Sequence, residues 1–575
     1  MGVGVEPVVA QARTIGRLWL DAVAAHRTTP AYLVERDGAW QPVSWNEAAT
    51  TVEELANGLL SVGIRKGDAV AIVGQTTIEW ALFDFALALV GAIGAPVYAN
   101  SSAKDAQFVV THSEAVAALC EDDEQRAKLE PLALAHVWTF SELDALRELG
   151  RTHAREHPDG LSEAAARVDA DDLFTYIYTS GTTGPPKGCM IRHRNYYEMV
   201  AVVDRIEDFT TADDVLLLYL PLAHNFGRLM HLAGPYVGYT IAFLPDPLRT
   251  ADALVEVRPT VLPSVPRVYE KVHAAVLGKF NEETGMKRRI IDWSLRVGRQ
   301  ASELRQKQLP VPAALDAQRR VADRLVYAKV RERLGGRLRI AISGGAPLAK
   351  EIAQFFDALG ITILEGYGLT ECTSAATVNR MTRYRLGTVG PALPNTELRL
   401  GEDGELFIRS PTVFAGYLKD EAATREILDD EGWLHSGDVA EIDGDGFVTI
   451  TDRKKDILVT AGGKNVAPAN LENDLKAHAE ISQAIVIGDR RPFVAALVTL
   501  DPELTNTLSE EEKHERVQQI VDDVNSDRSR FEQIKRFAIL PRDFSMDEGE
   551  VTPTLKLKRR VVLDHFASEV ESIYD

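Results

Sequence analysis

The sequence predicts an α/β protein with a large N-terminal domain and a smaller C-terminal α/β domain. Three observations carry this. A βαβαβ alternation fills residues 68–121, a similar alternation begins after residue 172, and a shorter one follows a charged turn at DRKKD, residues 452–456. Short apolar runs separated by helical periods imply parallel strands with helices on the sheet faces.

In the first alternation, DAVAIVG (68–74), APVYA (95–99) and AVAALCE (115–121) read as strands, with helices near 77–91 and 103–113. The most apolar stretch of the chain, WALFDFALALVGAIGAPVYA (80–99), contains Asp84, Gly91, Gly94 and Pro96. A buried helix followed by a strand explains it better than a transmembrane span. In the second alternation, LFTYIYT (173–179), DVLLLYLPL (214–222) and TIAFLP (240–245) are strands, with helices near 193–205 and 225–236. These make two α/β subdomains. Residues 271–340 are helical in pattern and hold 17 basic against 7 acidic residues, in a chain of net charge −21. From 340 to 450 strands and turns dominate, giving a β-rich subdomain. The boundary is placed at DRKKD, dividing the chain into 1–454 and 455–575. The second part contains the strands ILVT, SQAIVIGD and FVAALVTL and a helix near 468–479.

A net charge of −21 argues against a nucleic-acid partner. Cys120, Cys189 and Cys372 form no CxxC and no disulfide framework, which fits a reducing cytoplasm. The N-terminal residues show no basic segment followed by an apolar one, so no signal peptide is expected.

The chemistry concentrates in loops. YTSGTTGPPKG (178–188) follows an apolar strand and packs glycines, hydroxyls and one lysine into eleven residues. Such a loop can turn N–H groups, hydroxyls and an ammonium toward phosphate oxygens. The plain alternative is a solvated loop. It is not a Walker A loop, because Lys187 lies between Pro186 and Gly188 rather than before Ser or Thr.

The pattern of this loop resembles the signature of adenylate-forming enzymes, the family of acyl-CoA synthetases, luciferases and adenylation domains. Five more segments resemble that family's motifs in the same order: ISGGAPL (342–348), EGYGLTE (365–371), GWLHSGD (432–438), DRKKD (452–456) and TPTLKLKRR (552–560). The resemblance covers nearly the whole chain. It implies ATP, Mg2+ and CoA as co-substrate, and a C-terminal domain that works as a mobile lid. Thr179, Ser180, Gly181, Thr182, Thr183, Gly184 and Lys187 would then cradle the β- and γ-phosphates, with Thr183 also near the metal. Gly344, Gly345, Ala346 and Pro347 would form the adenine loop, and Gly366, Tyr367 and Gly368 would continue it, the Tyr367 ring lying on the base. Thr370 would bond the α-phosphate, and Glu371 would offer the hard oxygen ligand that magnesium prefers. Asp438 and Arg453 would hold the ribose, and Lys455 would be the hinge.

Lys556 would be the catalytic lysine, a cation bridging an attacking carboxylate and a phosphate. The family's usual Gly-Lys is Leu555-Lys556 here, and Lys558 stands two residues on. His224, in LPLAHNFGR, is either a gate residue bordering the acyl site or a histidine satisfied at a strand end. Lys454 reads as a solvated basic residue, and Lys464, in AGGKNVAP, as a surface lysine or a contact for a CoA phosphate.

The wording of RERLGGRLRIAISGGAPL, of DRKKDILVTAGGKNVAP and of the helical block is similar to long-chain fatty acyl-CoA synthetases. The resemblance therefore implies activation of a long-chain fatty acid to acyl-AMP and its transfer to CoA. The nearest competitor is a fatty acyl-AMP ligase that hands the acyl group to a carrier protein. A P-loop NTPase or kinase and a non-catalytic nucleotide-binding scaffold are the readings from other classes. In MKRRIIDWSLRVGRQ (286–300), Ile290, Trp293 and Val297 form a stripe flanked by Lys287, Arg288, Arg296 and Arg299. It suits either peripheral contact with anionic lipid at the inner membrane surface or packing on its own domain with a solvated basic face.

Overall fold

The computed structural model describes residues 12–179, 186–526, 528–546, 548–552 and 557–575. Two sheets organise the N-terminal part. A six-stranded sheet runs in the order His136–Thr139, Ala117–Cys120, Ala69–Gly74, Ile93–Tyr98, Leu173–Thr179, Lys187–Arg192, parallel except for its last pair. An eight-stranded sheet runs from Thr377–Val378 through Ile363–Tyr367, Ile340–Ser343, Val261–Ser264, Val215–Leu218 and Thr240–Phe243 to Tyr32–Arg36 and Ala39–Val43. Its interior is parallel and both of its outermost strands are antiparallel. The sequence alternation after residue 172 is therefore shared between sheets. Leu173–Thr179 joins the first sheet, and the strands at 215 and 240 belong to the second. Periodicity identifies strands, whereas their spatial order is set by which faces bury one another.

The period-two alternation of strand side chains explains why one core spans both sheets. Val70, Ile72 and Leu119 face a core they share with Leu216, Leu217, Ile241 and the helices Ile15–Ala24, Trp45–Ser61, Ile78–Val90 and Asn225–Val237. Ala69, Ala71 and Val73 face the opposite way, onto the helix Ala103–His112. The apolar stretch at 80–99 is thus helix Ile78–Val90 followed by strand Ile93–Tyr98. Thr77 caps the helix by accepting from Trp80 N–H, and Gly91, at φ +80°, ends it. Asp84 is buried within it and pairs with the equally buried Arg228 at 2.6 Å. Burial raises the Asp84 carboxyl, to about 6, and Arg228 opposes that rise. Gly94 makes room for the pair, since a Cβ there would lie 3.2 Å from Arg228 Nη2.

The charged block forms helices Pro266–Glu282, Gly285–Gln306 and Ala313–Ala322. Ile290 and Trp293 pack against the main core and Val297 is buried, so the apolar stripe turns toward the body of the protein. Lys287, Arg289, Arg296 and Arg299 are exposed, with Glu283 and Asp292 pairing Lys287 and Arg288. No helix among the described residues is long and apolar enough to cross a membrane.

A four-stranded antiparallel sheet, Glu397–Leu400, Glu405–Arg409, Leu434–Ile442 and Val448–Arg453, leads into the C-terminal part. There, strands Ile481–Ile487, Val494–Leu500 and Ile534–Ile539 carry one apolar cluster on each face. Arg267 ties the two parts together, donating to the Ser482 carbonyl (2.5 Å) and to Ser482 Oγ (2.7 Å).

Candidate active site

The phosphate-type loop joins two antiparallel strands. Thr179 and Lys187 are direct partners across Leu173–Thr179 and Lys187–Arg192, so they face each other at the loop end of the hairpin. Ser180, Gly181, Thr182, Thr183 and Gly184 lie outside the described residues, as does Lys556. Residues 415–418 run along the other side of Lys187–Arg192: Ala415 N donates to Met190 O and Leu418 N to Gly188 O, both at 2.8 Å.

The adjacent strands Ile340–Ser343 and Ile363–Tyr367 deliver the next group. Beyond Ser343 the chain turns through Gly344 and Gly345. Gly345 has φ +85°, a conformation that favours glycine. Ala346 and Pro347 continue the turn and are exposed. Gly368 has no room for a side chain, because a Cβ would fall 1.7 Å from Ser374 O. The short helical turn Thr370–Cys372 then presents Thr370 and Glu371.

Asp438 and Arg453 are cross-strand partners, and Arg453 Nε lies 3.1 Å from Asp438 Oδ1. Tyr367 Oη donates to Asp438 Oδ2 at 2.5 Å. Burial and then the Asp438 charge raise the Tyr367 phenol well above its ordinary value, so it stays a donor. Arg453 is also shifted upward: burial lowers it, but Asp438, Tyr367, Asp456 and Glu371 together outweigh that effect. Lys455 is lowered by burial and by neighbouring Arg453. Lys454, expected as a solvated residue, is tied to Asp403 (2.6 Å) and Glu405 (3.0 Å), and Glu405 in turn accepts from Gly437 N–H. It fastens the turn before the C-terminal part to the antiparallel sheet.

Gly344, Gly345, Gly366, Tyr367, Gly368 and Thr370 line one cavity. Apolar side chains, among them Val203, Ile206, Phe209, Leu229, Met230 and Ala233, line it as well. The empty space, open mouth included, is ≈ 1060 Å³. Phe226, Leu229, Met230 and Ala233, all lining the cavity, fall on one face of the helix Asn225–Val237 and span roughly 10 Å along its axis. His224 does two things. Its Nδ1 accepts from Phe226 N–H at 3.2 Å as the helix cap, and the residue lines the cavity.

Two contributors were not singled out in the sequence. Asn225 donates to the Thr370 carbonyl at 3.2 Å and accepts from Tyr196, linking the helix to the Thr370–Glu371 turn. Tyr417 donates to Glu371 Oε1 at 2.6 Å while its ring carries Lys187 Nζ at 4.9 Å. Only the glycine-tyrosine pair after an apolar run hinted at it. The other Glu371 oxygen makes no hydrogen bond or ion pair among the described residues. One free carboxylate oxygen beside a phosphate-type hairpin fits a magnesium ion, which completes its shell with water and phosphate oxygens. The glycine turn, the Tyr367 ring and the Asp438–Arg453 pair fit a nucleotide in the same way: flat open backbone for a base, acceptors and a donor for a ribose.

The family model for AMP-binding enzymes matches residues 20–418, and the model for the AMP-binding enzyme C-terminal domain matches 455–575. The long-chain-fatty-acid–CoA ligase FadD15 of Mycobacterium bovis is 39% identical over 96% of this chain and 95% of its own. The human long-chain-fatty-acid–CoA ligase ACSBG2 is 30% identical over 98% of this chain and 92% of its own. Among solved structures, the adenylation domain of a carboxylate reductase from Mycobacterium chelonae superposes with TM-score 0.77, at 22% identity, over 98% of this chain and 91% of that one, and shares the fold. A full-length match to such relatives, on top of the two family models, makes this chain a member of the AMP-binding enzyme family.

Proposed function

We propose that the protein is a long-chain fatty-acid–CoA ligase that forms an acyl-adenylate from a fatty acid and ATP, then transfers the acyl group to CoA. The observation that carries this reading is the cavity itself. The nucleotide-type turn and Thr370, next to Glu371 in the chain, line the same cavity as a set of mostly apolar side chains from residues 199–209 and the helix Asn225–Val237. A long alkyl chain bearing a carboxylate suits a cavity lined by both kinds of residue.

In the first half-reaction a fatty-acid carboxylate oxygen attacks the α-phosphorus of ATP, the bond to the bridging oxygen breaks, and pyrophosphate leaves. Thr370 and the 344–347 turn hold the nucleotide, Tyr367 lies on the base, and Asp438 with Arg453 orients the ribose. Lys187 and the loop from Thr179 to Gly184, Thr183 among them, take the terminal phosphates. A divalent cation on Glu371, when bound, supplies charge neutralisation for the phosphate oxygens. Lys556 brings a cation to the meeting of two anions. In the second half-reaction the CoA sulfur attacks the acyl carbonyl and AMP leaves. His224 borders the acyl site. Residues 455–575 serve as a lid moving about Lys455.

The test is AMP and acyl-CoA formation from ATP, Mg2+ and a series of saturated fatty acids from medium to long chain, with and without CoA. Multiple-turnover AMP release that needs CoA and peaks on long chains is expected. Pyrophosphate release with no acyl-CoA would replace this reading with the fatty acyl-AMP ligase. Ala233→Trp fills part of the cavity. It should lower kcat/KM for the longest chains roughly 10-fold or more while sparing medium ones; an unchanged chain-length profile would remove Ala233 from the acyl site.

The exposed basic residues Lys287, Arg289, Arg296 and Arg299 give the helix Gly285–Gln306 a face suited to anionic lipid by charge, not by its apolar stripe. Co-flotation with anionic vesicles that disappears at high salt is expected, and equal, negligible binding to anionic and neutral vesicles would end this reading.

A further inference from the structure

Lys187 and Glu371 are a cation and an anion brought close by distant segments. Such a pair in a half-buried site ordinarily closes into a salt bridge, which would spend both charges on each other. Here it does not close. Among the described residues no carboxylate is ion-paired with Lys187. Tyr417 stands between the two, its hydroxyl on Glu371 Oε1 and its ring under the Lys187 ammonium.

Tyr417 is itself held on every side. Its backbone bridges to Cys189, its N–H donates to Thr424 Oγ1 at 2.9 Å, and its ring meets Phe414 edge-on at 5.1 Å. Phe414 N–H donates to the Glu371 carbonyl at 2.9 Å, so the same segment grips the Glu371 backbone and side chain. Gly416, at φ +126°, has no space for a larger residue, because a Cβ would come within 2.8 Å of Thr424 Cγ2. The ring can move little without moving the strand Lys187–Arg192.

We propose that Tyr417 is a positioning residue that keeps Lys187 and Glu371 apart and correctly aimed. The hydroxyl fixes the Glu371 carboxylate through one oxygen and leaves the other for a divalent cation. The ring holds the ammonium by cation–π attraction, which leaves its N–H donors for phosphate. This rests on the reading of Glu371 and Lys187 as metal and phosphate groups given above.

The test uses the full-length protein without fatty acid or CoA, so that nothing turns over. ATP binding is measured by calorimetry across a Mg2+ series for wild type, Tyr417→Phe and Tyr417→Leu, with thermal unfolding in parallel. Tyr417→Phe keeps the ring and loses the hydroxyl. The Mg2+ needed for half-maximal ATP binding should rise about 10- to 100-fold, the usual effect of removing a partner of a metal-ligating group, while affinity at saturating Mg2+ is retained. Tyr417→Leu should also lose about 10-fold at saturating Mg2+, as Lys187 closes on Glu371. An unchanged Mg2+ requirement in Tyr417→Phe overturns the proposal. So does an equal loss at low and saturating Mg2+, the mark of a merely structural residue. Identical behaviour of the two variants overturns the part assigned to the ring. A wild type that binds ATP without regard to Mg2+ sinks the underlying reading of Glu371, whatever the variants do.

Discussion

Glu371→Gln is expected to slow pyrophosphate release from ATP and a long-chain fatty acid by about 10²–10³-fold, the scale of removing one charge-stabilising group from a preorganised site. The substitution keeps shape and keeps an oxygen that can accept from Tyr417 Oη, so the 2.6 Å contact and the backbone bond from Phe414 N–H survive. What is lost is the negative charge on the oxygen that makes no hydrogen bond or ion pair among the described residues. The unfolding temperature should therefore stay near that of wild type while the chemical step collapses. Single-turnover pyrophosphate release at saturating substrates, with raised Mg2+ as a second arm, reads this directly. A rate within ten-fold of wild type would take Glu371 out of the metal role.

The second large effect concerns stability. Arg228→Met should destabilise the protein by about 3–5 kcal/mol, because it leaves Asp84 buried without its partner. The pair already falls short of full satisfaction: Arg228 Nε and Nη1 and Asp84 Oδ2 have no hydrogen-bond partner among the described residues. Nearby His231 gives no help, since burial and then Arg228 push it down to about 3 and keep it neutral. The double change Asp84→Leu with Arg228→Met removes both charges and should recover the loss, or exceed it by roughly 1–4 kcal/mol. Thermal unfolding of the three variants decides the matter. If the double variant is as weak as the single, the pair contributes packing rather than mutual charge. Arg228 lies in the helix that begins at Asn225, whose side chain bonds the Thr370 carbonyl. The single variant should consequently weaken nucleotide binding as well, and the double variant should regain it.

Residue types at the site were legible because loops announce their chemistry. The glycines at 344 and 345, the hydroxyl-rich approach to Lys187 and the Ser436-Gly437-Asp438 run are readable without coordinates. Side-chain partnerships across distant segments were not. Glu371 and Tyr417 are separated by 46 positions, and no periodicity connects them. Lys454 looked like one charge in a basic turn, because Asp403 and Glu405 become its neighbours only when the antiparallel sheet forms. The stripe of Ile290, Trp293 and Val297 was correctly amphipathic, but a hydrophobic face carries no label for what covers it; the core of its own domain does. The strand Leu173–Thr179 was clear as a strand, and its sheet was not, since parallel pairing with Ile93–Tyr98 depends on helices packed many residues away.

The outer edge of the eight-stranded sheet has a consequence for synthesis on the ribosome. Tyr32–Arg36 and Ala39–Val43 emerge early as a two-stranded hairpin, yet their sheet partner is Thr240–Phe243, almost two hundred residues later. At about 5–20 residues per second, the hairpin waits roughly 10–40 s with one edge of backbone amides unanswered. Two-stranded hairpins are marginal alone and such edges invite pairing with other nascent chains. Pro42, in the strand that stays outermost even when folding is complete, withholds one amide from any intruder on that side. The strand that must wait for Ile241 and Ala242 has no such guard, and slowing translation between residues 43 and 240 should raise the fraction of chains lost to aggregation.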